Sequence, residues 1–124
     1  MLGSAKLMSF IPTGNAPSAK VFYAEVLGLR LVSENSFALT FDANGIMLRV
    51  TNVPEFKPQT FTVLGWEVPD IGAGVSGLSE RGVSFEKYGF EGQDERGIWT
   101  APGGAKVAWF KDPDGNVLSI TQLP

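Results

Sequence analysis

The chain repeats itself. The segment "FDANGIMLRV" (41–50) aligns with "KDPDGNVLSI" (111–120), so Asp42 stands on Asp112, Gly45 on Gly115 and Leu48 on Leu118. Upstream, "NAPSAKVFYAEVLGLRL" (15–31) parallels "DIGAGVSGLSERGVSF" (70–85). Asn15 and Asp70 suit helix N-caps, because their side-chain oxygens accept the free backbone N–H groups of a first turn. Gly28 and Gly82 stand where a helix ends in a left-handed residue. Between those limits Ala19, Phe22, Tyr23 and Val26 follow helical spacing, as do Ile71, Val75 and Leu78, and Tyr23 is expected to serve packing. Strands are predicted at 7–12, 29–34, 36–41 and 46–51, then at 61–68, 83–88, 105–111 and 117–122. The second half carries a longer insertion, "YGFEGQDERGIWTAPGG" (88–104), whose glycines and proline mark a loop.

Each half thus reads as a βαβββ module, which alone leaves one sheet face open. Two in tandem predict an α+β fold, a curved mixed sheet with helices outside and a central cleft. The expected organisation is one domain over 1–124, with module 1 at about 6–52 and module 2 at about 61–122. At 124 residues the chain is long enough to bury a core without disulfides or metals as staples.

Composition removes several function classes. A net charge of −3 gives no electrostatic footprint for nucleic acid or an anionic membrane. No apolar run approaches the roughly 18 residues of a membrane span. The opening "MLGSAKLMSF" lacks a basic segment followed by an apolar core, so a cytoplasmic location is expected. The chain has no cysteine, which excludes disulfides and thiolate chemistry, and no histidine, the commonest metal ligand and general base. Any catalysis must use carboxylates, hydroxyls, Lys, Arg or Tyr.

Over nearly its whole length the chain resembles the vicinal oxygen chelate superfamily, in "AKVFYAEVLGLRL" and "WFKDPDGNVLSITQ" together and in that order. That superfamily includes glyoxalase I, extradiol dioxygenases, fosfomycin-resistance enzymes and bleomycin-resistance proteins. The resemblance implies the paired-module fold and a homodimer. It also implies four metal-ligand positions, one on each of four strands, which fall on Met8, Arg49, Val63 and Ser119. A thioether is soft, valine has no donor and arginine repels a cation, so no metal and no other cofactor is expected.

With Met8 facing inward, alternation along the strands brings Phe10 and Pro12 to the same face. Met47 and Thr51 accompany Arg49, Gly65 and Glu67 accompany Val63, and Val117 and Thr121 accompany Ser119. The opposite faces carry Leu7, Ile11, Ile46, Leu48, Val50, Leu64, Trp66, Val68, Leu118 and Ile120. A slip of one residue would bury the polar set under the helices, which supports this register.

The inward set describes an apolar small-molecule site with a few polar groups. Arg49 forks an anionic ligand, pairs internally with Glu67, or takes a catalytic role. Glu67 is the candidate general base if desolvation raises its pKa, although a nearby Arg49 would lower it. Ser119 and Thr121 have no histidine to activate them and read as hydrogen-bond donors. Met8 and Met47 are adaptable pocket walls or core. Phe10, Trp99 and Trp109 are candidates for stacking on a planar ligand, with Trp109 alternatively in the core. Glu91, Asp94, Glu95 and Arg96 read as a solvated face or as acids on a lid. Asp112 and Asp114 read as turn formers, because Asp42 recurs at the equivalent place.

Two functions follow. One is a metal-independent protein that binds an aromatic or anionic small molecule. The alternative is an enzyme of the same superfamily, a lyase, isomerase or dioxygenase-like protein, using a carboxylate or a metal carried by its ligand.

Overall fold

The repeat in the sequence is also a repeat in hydrogen bonding. The computed structural model describes residues 1–124, in two compact units, Met1–Lys57 and Pro58–Pro124. The first unit contains β1 (Met8–Thr13), α1 (Ala16–Val21), β2 (Arg30–Glu34), β3 (Ala38–Ala43) and β4 (Ile46–Asn52). The second contains β5 (Thr62–Glu67), α2 (Ile71–Glu80), β6 (Trp99–Thr100), β7 (Lys106–Lys111) and β8 (Val117–Gln122). Each unit has its own four-stranded mixed sheet, ordered β1-β4-β3-β2 in the first and β5-β8-β7-β6 in the second. The first and last strands pair in parallel in both, and the remaining pairs are antiparallel. The α+β reading as tandem βαβββ modules holds. No helix is long and apolar enough to cross a membrane.

Local chemistry sets the element ends. Asn15 Oδ1 accepts from the Ser18 N–H at 3.2 Å, and Asp70 Oδ1 accepts from the Ala73 N–H at 3.1 Å. Each satisfies a donor that has no partner inside its helix. The β3–β4 and β7–β8 turns use the same device. Asp42 Oδ1 accepts from the Gly45 N–H at 3.0 Å, while Asp112 Oδ1 accepts from the Asp114 and Asn116 N–H groups at 3.0 and 2.9 Å. Gly45 and Gly115 both have φ of +90°, a conformation glycine adopts without steric cost. The carboxylates of the DPDG turn therefore shape the chain.

The core of the first unit contains Ile11, Ala19, Tyr23, Phe41, Leu48 and Val50, and the Tyr23 and Phe41 rings lie 5.9 Å apart. The second buries Ile71, Val75, Ala108, Phe110, Leu118 and Ile120. Of these, Ile11, Leu48, Val50, Leu118 and Ile120 are the ones expected on the helix-facing sides of their strands, and all five are buried. Leu7 and Ile46 depart from that pattern at 67% and 41% exposed. Leu7 precedes β1, and Ile46 begins β4 immediately after the β3–β4 turn.

Two predicted elements are corrected. The first helix is α-helical only to Val21 and then widens into a π turn, Phe22–Val26, in which the Leu27 N–H donates to the Phe22 carbonyl. The predicted strand at 83–88 does not form. Phe85 makes a single bridge to Phe110 and the Glu86 N–H donates to the Trp109 carbonyl, after which the chain leaves β7. Its next donors, the Tyr88 and Gly89 N–H groups, go to Gln93 Oε1. The fourth strand of the second sheet comes instead from inside the predicted loop, as the two-residue β6.

Candidate functional site

In each unit one sheet face packs against its helix and the other carries the predicted site residues. On the first sheet the strand register arranges that face in cross-strand rows. Met8, Met47, Asp42 and Arg30 form one row, and Phe10, Arg49 and Thr40 form the next. Met8, Phe10 and Met47 are 45%, 61% and 41% exposed, so this face stays open while Leu48 and Val50 beneath it are buried. A cavity of about 310 Å³ lies over the first row, lined by Met8, Met47, Arg30 and Asp42 among others. Arg30 and Asp42 make a 3.7 Å ion pair there.

Arg49 is half-buried between Phe10 and Thr40, and neither it nor Glu67 takes part in an ion pair or a side-chain hydrogen bond. A half-buried guanidinium without a partner keeps its full hydrogen-bonding capacity for an incoming anion.

On the second sheet Trp99, Val107, Thr121 and Glu67 form one row, and Trp109, Ser119 and Gly65 form the next. Glu67 and Trp99 therefore sit on opposite edge strands, about 14 Å apart at the usual spacing between strands. Trp109 is half-buried and faces away from the Ala108–Phe110 core, beside Tyr88, Phe90 and Trp99. Ser119 is only 6% exposed. A Cβ built at Gly65 would lie 2.7 Å from Ser119 Oγ, so the missing side chain at Gly65 is what makes room for the hydroxyl.

Val63 departs from its predicted place. The β5–β8 register shifts between Thr62 and Leu64, which leaves Val63 without a cross-strand partner and sets Thr62 opposite Val117. Thr62 Oγ1 then accepts the Trp109 indole N–H at 3.0 Å.

The 88–99 segment is tied down by a residue that the sequence did not single out. Gln93 accepts from the Tyr88 and Gly89 N–H groups at 2.8 and 3.1 Å, and donates to the Glu86 and Gly97 carbonyls at 3.1 and 3.0 Å. Its only sequence signal was its position in a loop that needs internal partners for its backbone. Asp94 Oδ1 accepts from the Arg96 and Ile98 N–H groups, and Arg96 Nη2 donates to the Gly72 carbonyl and Ser76 Oγ on α2. These two residues hold the loop together. Burial pushes the Tyr88 phenol above its ordinary pKa, with Glu86 adding to the shift and Lys111 opposing it.

The metal positions implied by the family do not fit a metal. The first unit contributes Met8 and Arg49, and the second contributes Val63 and Ser119. No group of three or more His, Cys, Asp or Glu side chains comes together in the chain. A thioether, a cation, an alkyl group and one neutral hydroxyl make no donor set for a hard or borderline dication.

A model of the Glyoxalase/Bleomycin resistance protein/Dioxygenase superfamily matches residues 5–120. Among solved structures, TnmS3, an antibiotic binding protein from Streptomyces sp. CB03234, is 26% identical with a TM-score of 0.74, covering 100% of this chain and 99% of that one. A superfamily member from Sphaerobacter thermophilus DSM 20745 is 23% identical with a TM-score of 0.76, covering 99% and 100%. Lactoylglutathione lyase from Agrobacterium tumefaciens is 16% identical with a TM-score of 0.74, covering 96% and 93%, and shares the fold. No curated protein matches the chain.

Proposed function

This chain belongs to the Glyoxalase/Bleomycin resistance protein/Dioxygenase superfamily, and on that premise we propose that it is a metal-independent binding protein for an aromatic or anionic small molecule. The observation that carries this reading is Arg49, an unpaired and half-buried guanidinium among the exposed apolar side chains Met8, Phe10 and Met47. Such a face offers desolvated contact area together with one oriented charge, which is how small-molecule sites combine affinity with orientation. On the second unit we propose Trp99, Trp109, Ser119, Thr121, Glu67 and the bulged Val63 as a contact set of its own. That TnmS3 is an antibiotic binding protein is in keeping with binding on this scaffold. The open apolar faces also support a homodimer, and we place the protein in the cytoplasm.

Calorimetric titration with aromatic carboxylates, phosphates and sulfonates tests the reading. At least one should bind, and Arg49→Ala should weaken it about tenfold or more, the scale of a hydrogen bond to a charged group. Unchanged affinity for acidic ligands in the mutant removes Arg49 from the site. Each ligand that binds should be recovered unaltered by mass spectrometry after incubation, and a new product would establish an enzyme instead. Sedimentation of the free protein should give a homodimer.

A further inference from the structure

The second unit holds a cavity of about 320 Å³ whose walls include Phe61, Thr62, Tyr88, Phe90, Trp109 and Val117. Of these, Val117 belongs to the inward set drawn from strand alternation and Trp109 to the stacking candidates, while Phe61, Thr62, Tyr88 and Phe90 were not singled out as site residues. Three features define its chemistry. Its lining, which also includes Thr60, contains no charged side chain. Its aromatic wall is built from mutually braced rings: Tyr88 and Phe90 lie 5.3 Å apart, and Trp109 lies 5.6 and 5.8 Å from them. Phe61, Tyr88 and Phe90 nevertheless remain 61%, 43% and 48% exposed, an apolar patch turned to solvent.

The third feature is the orientation of one hydroxyl. Thr62 Oγ1 already accepts the Trp109 indole N–H, so its own proton is free to be donated onward. The indole N–H of Trp99 is likewise occupied, by the Glu91 carbonyl at 3.1 Å. Neither indole has a donor to spare for a ligand. The Tyr88 phenol, like any tyrosine with an ordinary or raised pKa, is neutral at physiological pH. The pocket therefore offers ring faces and neutral hydroxyls, and no charge to compensate a buried carboxylate or ammonium, whose desolvation would go unpaired.

We propose that this pocket is a distinct subsite for an uncharged planar aromatic group bearing a carbonyl oxygen, stacked among Phe61, Tyr88, Phe90 and Trp109 with the carbonyl accepting from Thr62. The inference rests on the binding-protein reading for the premise that the chain takes up a small molecule and shares Trp109 with it, and it does not involve Arg49. The volume suits roughly a two- or three-ring system, at the lower end of small-molecule pockets. The four hydrogen bonds of Gln93 hold the Tyr88–Gly97 segment in place before any ligand arrives, which lowers the ordering cost of binding.

The probe is 6-propionyl-2-dimethylaminonaphthalene, a neutral aryl ketone whose emission shifts to the blue in apolar surroundings. Titrated with the full-length protein, it should bind saturably at one equivalent per chain. Phe90→Ala should weaken binding, and Thr62→Val should weaken it about tenfold, one lost hydrogen bond. Thr62→Ser, which keeps the hydroxyl, should restore the affinity. The parent 2-dimethylaminonaphthalene, without the carbonyl, should bind Thr62→Val and the unmodified protein alike. Arg49→Ala should leave the ketone's affinity unchanged. Failure of the acidic-ligand series with retained ketone binding would overturn the Arg49 reading and leave this one standing. Non-saturable ketone binding, equal affinity in Phe90→Ala and Thr62→Val, or loss in Arg49→Ala would overturn the subsite.

Discussion

At the scale of single residues, Gly65 and Ser119 form a unit that neither residue explains alone. Glycine inside a strand weakens it unless something needs the space, and here the Ser119 hydroxyl occupies the place a Cβ would take, at 2.7 Å. Gly65→Ala should destabilise the protein by about 1–3 kcal/mol, the usual cost of overpacking. Adding Ser119→Ala should recover most of the loss, because the Ser119 Cβ lies at an ordinary 3.9 Å from the same point. Urea denaturation of the two single mutants and the double mutant measures the coupling, and additive losses would refute it. The sequence placed Ser119 on the open face but could not show this, because alternation gives the side of a strand and not the depth of a side chain. The DPDG turn was the legible part: Asp42 and Asp112 recur at one place, and each carboxylate accepts backbone N–H groups of its own turn, from Gly45 in the first and from Asp114 and Asn116 in the second. Tyr88 gives a second prediction. Folding favours its neutral phenol, so the stability this confers is complete below the unfolded value of about 10 and is lost as pH rises through the higher folded value. Between pH 8 and pH 11 the unmodified protein should lose more stability than Tyr88→Phe, and parallel profiles would argue against the shift.

At the scale of elements, what the sequence showed well was what the backbone repeats. Both helix caps, both parallel closures and the alternation of β4 and β8 follow from local patterns that recur in each half. The 83–99 region escaped because its hydrogen bonds run to a side chain. Val83 and Phe85 alternate with Ser84 and Glu86 as a strand should, yet Gln93 takes the N–H groups that would have continued the ladder. The bulge at Val63 was hidden for a similar reason: one extra residue changes a register without changing composition. Gln93→Ala should therefore loosen one element and spare the rest. Amide exchange at Tyr88 and Gly89 should accelerate, while exchange in β7 and β8 stays slow. Global stability should fall by about 1–3 kcal/mol, since water can replace the lost acceptor at exposed Tyr88 and Gly89 while the carbonyl of buried Gly97 loses its donor. Uniform acceleration across the second sheet would show that the loop and the sheet unfold together.

At the scale of the whole molecule, the chain has the fold of its superfamily, and the four positions at which the resemblance implies metal ligands hold residues unsuited to a metal. They are unsuited in different ways. Met8 and Val63 present apolar groups, Ser119 a neutral oxygen, and Arg49 a charge of the wrong sign. A single residue of this sort could leave a weakened site, but an arginine at one of the four positions adds repulsion to the lack of donors. The expected consequence is thermodynamic and does not depend on knowing the ligand. A resident dication at a hundred times its dissociation constant stabilises the native state by about 2.7 kcal/mol, a rise in Tm on the order of 10 °C for a chain of this length. Thermal unfolding with Ni, Zn, Mn or Fe ions at near-stoichiometric concentration should show no such rise, and Arg49→Ala alone should not create one. A specific stabilisation by any of these ions would mean that donors outside the four positions have taken over the chelate, and the proposal of metal-independent binding would fall with it.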